Sequence, residues 1–393
     1  MPFSAAAKML GGGGSSKKRL AAQRNRLCNA TMLISLMMIL FTGSLLMRST
    51  HRSPAVATAN ALQEETQPPS ASKKSGDTYS LYTKEFIKDI QSMDKKGVFL
   101  WSRDDDSLIE YATYRPSRQP PLRILVVAQL HAREMFSADV ARLFMAAIMA
   151  QSPELIASYV AKNATLSEWT IVPVANPCGR DAVVSAYQGA KGSKPWDLCL
   201  RGNCAGVDLN RNWITYGSSL YKQTSSLRVK RGRFWGGVPE TNPGPEAFSE
   251  PESKFLRLLI HDRRPDLVLS LHTGGVGFLH PPEDGDLEAD LHDKFSFERI
   301  AQLKRLVGWA RVKSGIRPRE QRHLEDKMVK VAGGSMLDYC LRHDVPLAAT
   351  LELYVTNDTR AERDYGPSPP AYRGTEHWGS DPWDCHRFYN PPQ

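Results

Sequence analysis

Cysteine is scarce in this chain, and no two cysteines stand in Cys-x-x-Cys spacing; the six are Cys28, Cys178, Cys199, Cys204, Cys340 and Cys385. That excludes a thiolate-ligated zinc knuckle and a dithiol redox motif. Acid is missing altogether from the first fifty residues, where Lys8, Lys17, Lys18, Arg19, Arg24, Arg26 and Arg48 supply seven of the nine net positive charges. The remaining chain is nearly neutral, so its basic balance does not describe a nucleic-acid surface and no nucleic-acid partner is expected. From His51 to about Thr78 large apolar residues are almost absent, and such a segment cannot bury enough surface to order itself. No internal repeat is found, which removes solenoids and propellers from consideration.

Next to the basic head lies an apolar stretch, Ala30 to Met47, of eighteen residues. A membrane span needs about 17–25 such residues, whereas the apolar part of a cleaved signal peptide has roughly 7–15. Lys and Arg precede it, which places the N-terminus in the cytosol and the rest across the membrane. The reading is a type II signal anchor, with a cleaved signal peptide and a secreted product as the alternative, since Ala55-Val56-Ala57 offers a cleavage site. Either way the bulk of the chain is expected to be lumenal or extracellular. Two acceptor sequons, at Asn163 and Asn357, fit that compartment. The organisation expected is a basic cytoplasmic tail (1–28), a transmembrane anchor (29–48), a disordered stem (49–78) and one folded domain (79–393). Cys199 and Cys204 are near enough to close a small loop, but sequence does not fix the pairing.

Within the domain, Leu81 to Ile90 reads as a helix, and Val98 to Trp101 and Leu108 to Tyr111 as paired strands. Thereafter apolar runs of strand length alternate with helical segments, including Ala138 to Ala150 and Pro251 to Leu259. This pattern predicts an α/β fold, a mixed, largely parallel twisted sheet covered by helices on both faces. Four runs end on polar residues: Ile124 to Leu130 on His131, Trp169 to Ala175 on Asn176, Leu267 to Leu271 on His272 and Leu347 to Leu351 on Glu352. Ligands of open α/β sheets bind beyond the carboxyl ends of the strands.

His131-Ala132-Arg133-Glu134 puts an imidazole and a carboxylate three residues apart, and with a second His this makes the protein ligand set of a catalytic zinc. The spacing alone is weak, for His280-Pro281-Pro282-Glu283 repeats it. That second match is read as loop, because it follows no evident strand and contains stiff prolines. Glu352 inside an apolar run is costly to bury without a task or a wet cleft. Trp213, Phe234 and Trp235 read as packing.

In order along the chain, Val126 to Glu134, Asn176-Pro177-Cys178-Gly179, Arg201 to Trp213, Gly244 to Glu252, His272, Gly333-Gly334-Ser335 and Leu351-Glu352-Leu353 resemble the motifs of the zinc metallocarboxypeptidases, the family of carboxypeptidases A, B, N and E. The resemblance covers roughly Tyr79 to Tyr354, and the form of Arg201 to Trp213 is similar to the N/E branch. It implies one zinc ion per chain held by His131, Glu134 and His272. It also implies Glu352 as general base for a zinc-activated water, Arg201 as stabiliser of the carbonyl oxygen, and Asn210 and Arg211 as readers of the substrate's terminal carboxylate. The implied activity is removal of C-terminal residues from peptides or proteins, by a monomer. A non-catalytic ectodomain that holds zinc and recognises peptide ends or a protein partner is the alternative, and the presence of Glu352 argues against it.

The chain departs from the family pattern in four places, the first being Cys178 where the family's Asn-Pro-Asp-Gly turn has aspartate. Lys330 stands where the family has a tyrosine, twenty-two residues before the catalytic glutamate, and is expected to meet the substrate carboxylate instead; Tyr339 is another phenol that could approach. The stem is too short for a folded inhibitory prodomain. Asp358 to Gln393, rich in Pro, Gly and aromatics, replaces a closing helix. Counting fifteen residues back from Glu352 gives Leu337 as the pocket residue, which favours apolar ends, while the neighbouring Asp338 and the N/E-like segment pull toward basic ones.

Overall fold

The computed structural model describes residues 97–150, 166–214, 242–281, 300–305, 334–343, 345–354 and 389–391, with short pieces at 88, 91–92, 94–95, 234–235, 238–239, 298, 307–308 and 385–386. The expected anchor, stem and sequons, most of the expected helix over Leu81 to Ile90, and Lys330 lie outside the described residues. Among the described residues no helix is long and apolar enough to cross a membrane.

The strands in chain order are β1 (Leu100–Arg103), β2 (Glu110–Tyr114), β3 (Arg123–Ala128), β4 (Glu168–Val172), β5 (Phe234–Trp235), β6 (Val238–Pro239), β7 (Leu267–His272), β8 (Gly275–Leu279) and β9 (Leu347–Tyr354). β5 and β6 form a separate ribbon, and the other seven make one sheet in the order β1-β2-β4-β3-β7-β9-β8. The four central strands, β4, β3, β7 and β9, are parallel, and the edges β1, β2 and β8 pair antiparallel. The expected mixed sheet is therefore present, but three of its six pairings are parallel and three antiparallel, so it is parallel at its centre and not largely parallel throughout.

Each central strand divides its side chains between two cores with a period of two. Ile124, Val126, Ala128, Leu267, Leu269, Leu271, Ala349 and Leu351 face helix α1 (Met135–Ala150), which buries Ala138, Ala141, Met145 and Ile148 at helical spacing. Leu125, Val127, Val268 and Ala348 face α3 (Pro251–Arg263) and α4 (Met336–Arg342). A shorter helix, α2 (Pro177–Tyr187), packs Val183 and Val184 against Ala132 and Met135. On the α3/α4 face the strands turn polar toward their carboxyl ends: Val268, Ser270, His272 on β7 and Ala348, Thr350, Glu352 on β9. Burial on two sides selects the continuous apolar runs, and the site occupies the point where one of those sides opens.

Several local boundaries differ from expectation. α1 begins three residues before Ala138, because Ser137 Oγ donates to Glu134 O at 2.7 Å and the Asn390 side chain accepts from the Phe136 N–H at 3.0 Å. The second of these caps comes from residue 390 and has no local sequence signal. α3 runs to Arg263 and ends where Arg264 takes a left-handed φ of 45°. His280 directly follows strand β8, which corrects the expectation that it follows none; β8 contains two glycines and does not read as a strand.

The cysteines do not close the short Cys199–Cys204 loop. Cys178 pairs with Cys204 and Cys199 with Cys385, and among the described residues Cys340 is buried and outside both disulfides. The first bridge joins the start of α2 to the loop before Asp208, closing 26 residues of sequence, which restricts the unfolded chain by at most about 3.5 kcal/mol.

Candidate metal centre and active site

The turn carrying His131 and Glu134 is assembled from buried amides. β3 stops at Ala128 because Gln129 adopts φ 54°, and its side chain then locks the turn. Gln129 Nε2 donates to Ala132 O at 2.9 Å, its Oε1 accepts from Arg180 Nη1 at 2.9 Å, and its N–H donates to Ser137 Oγ at 3.0 Å. Asn176 works from the other side. Its Nδ2 donates to Leu130 O and Gly202 O, at 3.2 and 3.1 Å, while its Oδ1 accepts from Gly179 N at 2.9 Å. Gly179 must be glycine, since a Cβ there would lie 2.5–2.8 Å from Asn176 Oδ1, Gly202 O and Ala132 Cβ. The two loops are then zipped together, with Ala132 N donating to Arg201 O and Arg133 N to Leu200 O.

On this frame His131, Glu134 and His272 converge, all buried, and they form the one such group among the described residues whose ligand atoms lie within 4.8 Å of one another. His131 Nδ1 is 2.6 Å from Glu134 Oε1, His272 Nδ1 is 2.8 Å from Oε2, and the two Nδ1 atoms are 3.2 Å apart. Ligand atoms of a tetrahedral zinc with bonds of ~2.1 Å are separated by about 3.4 Å. Small outward shifts of the three side chains therefore suffice to admit the ion. Burial would raise the Glu134 carboxyl, but the charges and hydrogen bonds of His131 and His272 outweigh it and hold the group far below the usual carboxylate range. Burial, then the Arg201 charge, lower His131, whereas Glu134 and Glu352 overcome burial to raise His272.

The outer ring nitrogens face polar side chains, a hydroxyl for His272 and a carboxylate for His131. His272 Nε2 meets Ser270 Oγ at 2.9 Å, and His131 Nε2 lies 3.2 Å from Asp208 Oδ1. Partners of this kind fix the tautomer and orientation of a metal-binding imidazole. Asp208 is completely buried and also accepts from Arg201 Nε at 2.8 Å and Asn210 N at 2.9 Å. Its pKa is lowered well below the ordinary value: burial opposes this, and the charges of Arg201 and His131 prevail. One carboxylate thus orients a prospective ligand and a prospective oxyanion stabiliser together. Neither Asp208 nor Ser270 is singled out by sequence reasoning. Ser270 does carry a signal, being two residues before His272 and so on the same face of β7.

Glu352 occupies the rung beside His272 in the parallel β7–β9 register, with Gly277 of β8 opposite on its other side. Glycine there leaves that flank of the carboxylate without a side chain. Arg201 is mostly buried, and Asn210 and Arg211 are buried in the following turn. Asn210 Oδ1 accepts from Met336 N at 3.1 Å, and Arg211 Nη1 donates to its neighbour's carbonyl at 2.6 Å. Leu337 sits 1% exposed in the apolar cluster beneath α4, and Asp338 beside it is also buried. Tyr339 does not approach the metal-ligand group; its hydroxyl is 2.6 Å from His261 Nε2. His280 is not among the converging ligands, its Nδ1 donating to Pro281 O at 2.9 Å. Trp213 is packing as expected, its Nε1 donating to Leu209 O within the core.

A family model described as zinc carboxypeptidase (Peptidase_M14) matches residues 110–373, more than half of the chain. The chain belongs to the zinc carboxypeptidase family. No curated protein sequence matches it. Among solved structures, bovine thrombin-activatable fibrinolysis inhibitor in complex with tick carboxypeptidase inhibitor is 18% identical, covering 68% of this chain and 84% of its own, with a TM-score of 0.48. Carboxypeptidase A from Helicoverpa armigera is 21% identical, covering 72% and 68%, with a TM-score of 0.45. The matched span of this zinc carboxypeptidase takes in all three metal-ligating candidates as well as Arg201 and Glu352. Two imidazole nitrogens and a carboxylate are the donors that zinc-dependent members of such a family require, and the residues present fit the ion.

Proposed function

We propose that this chain is an active zinc carboxypeptidase that releases the terminal residue from the carboxyl end of peptides. The observation that carries the reading is the pairing of Glu352 with His272 on one rung, beside the only His-Glu-His group found among the described residues. Zinc held by His131, Glu134 and His272 would supply Lewis acidity, acidifying water and polarising a carbonyl. Glu352 accepts the proton of the attacking water and returns it to the departing amine. Arg201, oriented through Asp208, offers a fixed cation to the carbonyl oxygen as negative charge develops there. Arg211 and Asn210 are assigned to the substrate's terminal carboxylate, for which a guanidinium fork is suited, and Lys330 is assigned to the same group. Leu337, fifteen residues before Glu352, is assigned to the pocket floor, where an apolar side chain would favour an apolar residue at the position released.

The test is a panel of peptides with alternative ends, assayed on purified full-length protein with and without chelator. Glu352→Gln should keep zinc and lose turnover by at least about a hundredfold. Full turnover in that variant sinks the mechanism, and zinc uptake without any cleavage by the parent favours the binding-only alternative. Within the same panel, peptides ending in Phe should be cut faster than those ending in Arg; the reverse removes Leu337 from the pocket. A type II topology completes the proposal, supported by the basic head before the apolar stretch and by two disulfides in the domain, which suit an oxidising compartment. In sealed membranes the domain should resist external protease and carry glycosidase-sensitive mass at Asn163 or Asn357; digestion from the cytosolic side rules this out.

A further inference from the structure

We infer that Cys385, Tyr389 and Asn390 form a clasp that positions the metal ligands. Glu134 and His272 lie 138 residues apart in sequence, and a short stretch of chain beyond both touches the backbone that carries each. Asn390 is buried, and its amide spans Glu134: Nδ2 donates to Arg133 O at 2.9 Å and Oδ1 accepts from Phe136 N at 3.0 Å. One planar amide therefore fixes the peptide groups on both sides of the ligand, as a neighbouring strand would. Tyr389 joins this segment to the other. The guanidinium of Arg133 lies over its ring, 4.3 Å from the centroid, and its edge fills the space above Gly274, two residues after His272. A Cβ on Gly274 would lie 2.7 Å from Tyr389 Cε1, so the missing side chain is what lets the ring approach.

The clasp is itself anchored. Cys385 is bonded to Cys199, whose carbonyl oxygen accepts from Arg133 Nη1 at 3.3 Å. The His386 ring is tilted against that of Tyr187 of α2, centroids 5.5 Å apart, and the His386 carbonyl oxygen accepts from both nitrogens of Asn390. Arg133 is thereby gripped from two sides although it ligates nothing. These are positioning contacts: Asn390 and Tyr389 meet the segments that carry Glu134 and His272 without bonding to a ligand's donor atom, and Cys385 ties their stretch of chain to Cys199. Partners outside the ligand set commonly change metal affinity about 10–100-fold.

The inference rests on the zinc reading of the site, so the experiment separates the two. Zinc dissociation constants are measured by chelator competition on the full-length protein, and amide hydrogen exchange of residues 134–137 is followed in its metal-free form. Asn390→Ala and Tyr389→Ala should weaken zinc binding about 10–100-fold and accelerate exchange at Phe136. Tyr389→Phe should restore parental affinity, because the contacts use the ring and not the hydroxyl. Arg115→Gln, which removes the ion pair to Glu168 at a distant strand, controls for general destabilisation and should leave zinc affinity alone. Zinc constants within twofold of the parent for both alanine variants overturn the inference, as does an equal loss in Arg115→Gln. If the parent takes up no zinc, the metal reading fails separately, and unchanged exchange at 134–137 in Asn390→Ala removes the clasp as well.

Discussion

Asn176 offers a sharp test of how the site is held, because its two simplest replacements act in an unintuitive order. Its side chain is fully buried and joins three segments through hydrogen bonds to Leu130 O, Gly202 O and Gly179 N. A buried hydrogen bond contributes about 1 kcal/mol net, so Asn176→Ala should lose about 3 kcal/mol of stability. Asn176→Asp keeps the shape and the Gly179 contact, yet turns an anionic oxygen toward two carbonyl oxygens that sit 3.2 and 3.1 Å from the present donor. A buried charge facing acceptors has no compensation, and the cost rises to about 3–5 kcal/mol. The isosteric variant should therefore be at least as damaging as the truncation at neutral pH. Urea unfolding of both variants reads the order directly, and zinc competition should show weaker binding in each, since the bridged segments carry His131 and Arg201. An aspartate variant as stable as the parent would refute the assignment of the Asn176 amide as a double donor.

Asp208→Asn removes the carboxylate that Arg201 and His131 share; stability should fall by about 3 kcal/mol and zinc affinity by about tenfold or more, both measurable in the same assays. An effect on stability with zinc affinity unchanged would confine Asp208 to a structural role. Glu252 has its carboxyl raised, chiefly by burial and further by Glu250, against the lowering effect of its hydrogen bonds. A raised folded-state pKa means that losing this proton opposes folding as pH rises through the carboxyl range. Glu252→Gln should thus be more stable relative to parent at pH 7 than at pH 4, and urea midpoints that differ equally from the parent at both values would contradict it.

The parts of this molecule that are legible in its sequence are those written in local pattern. The runs ending at His272 and Glu352 are apolar because both sheet faces are covered, and their ends mark where one face opens. The illegible parts are decided across distance. β3 halts at Gln129, a residue with no turn preference, because Arg180 and Ser137 wait to receive its polar groups in a left-handed conformation. β8 is hidden because its two glycines weaken any strand signal. Cys199 ignores the near cysteine for one 186 residues away, a choice fixed by where Cys385 is delivered. Asp208 sits between Val207 and Leu209 in a loop with no periodicity to single it out, and only the geometry shows it meeting both His131 and Arg201.

The shared rung of His272 and Glu352 bears on how preparations of this protein can be judged. Sliding β9 by one position would set Leu351 or Leu353 beside His272 and turn Glu352 into the aliphatic core against α1. The same slip would drive Leu347, Ala349 and Leu351 into the face now lined by Ala348, Thr350 and Glu352 against α3 and α4, so both cores would be mispacked along with the site. Core packing and site assembly are consequently set by the same register. Counting active sites with a tight-binding inhibitor should therefore return the same number as counting folded molecules.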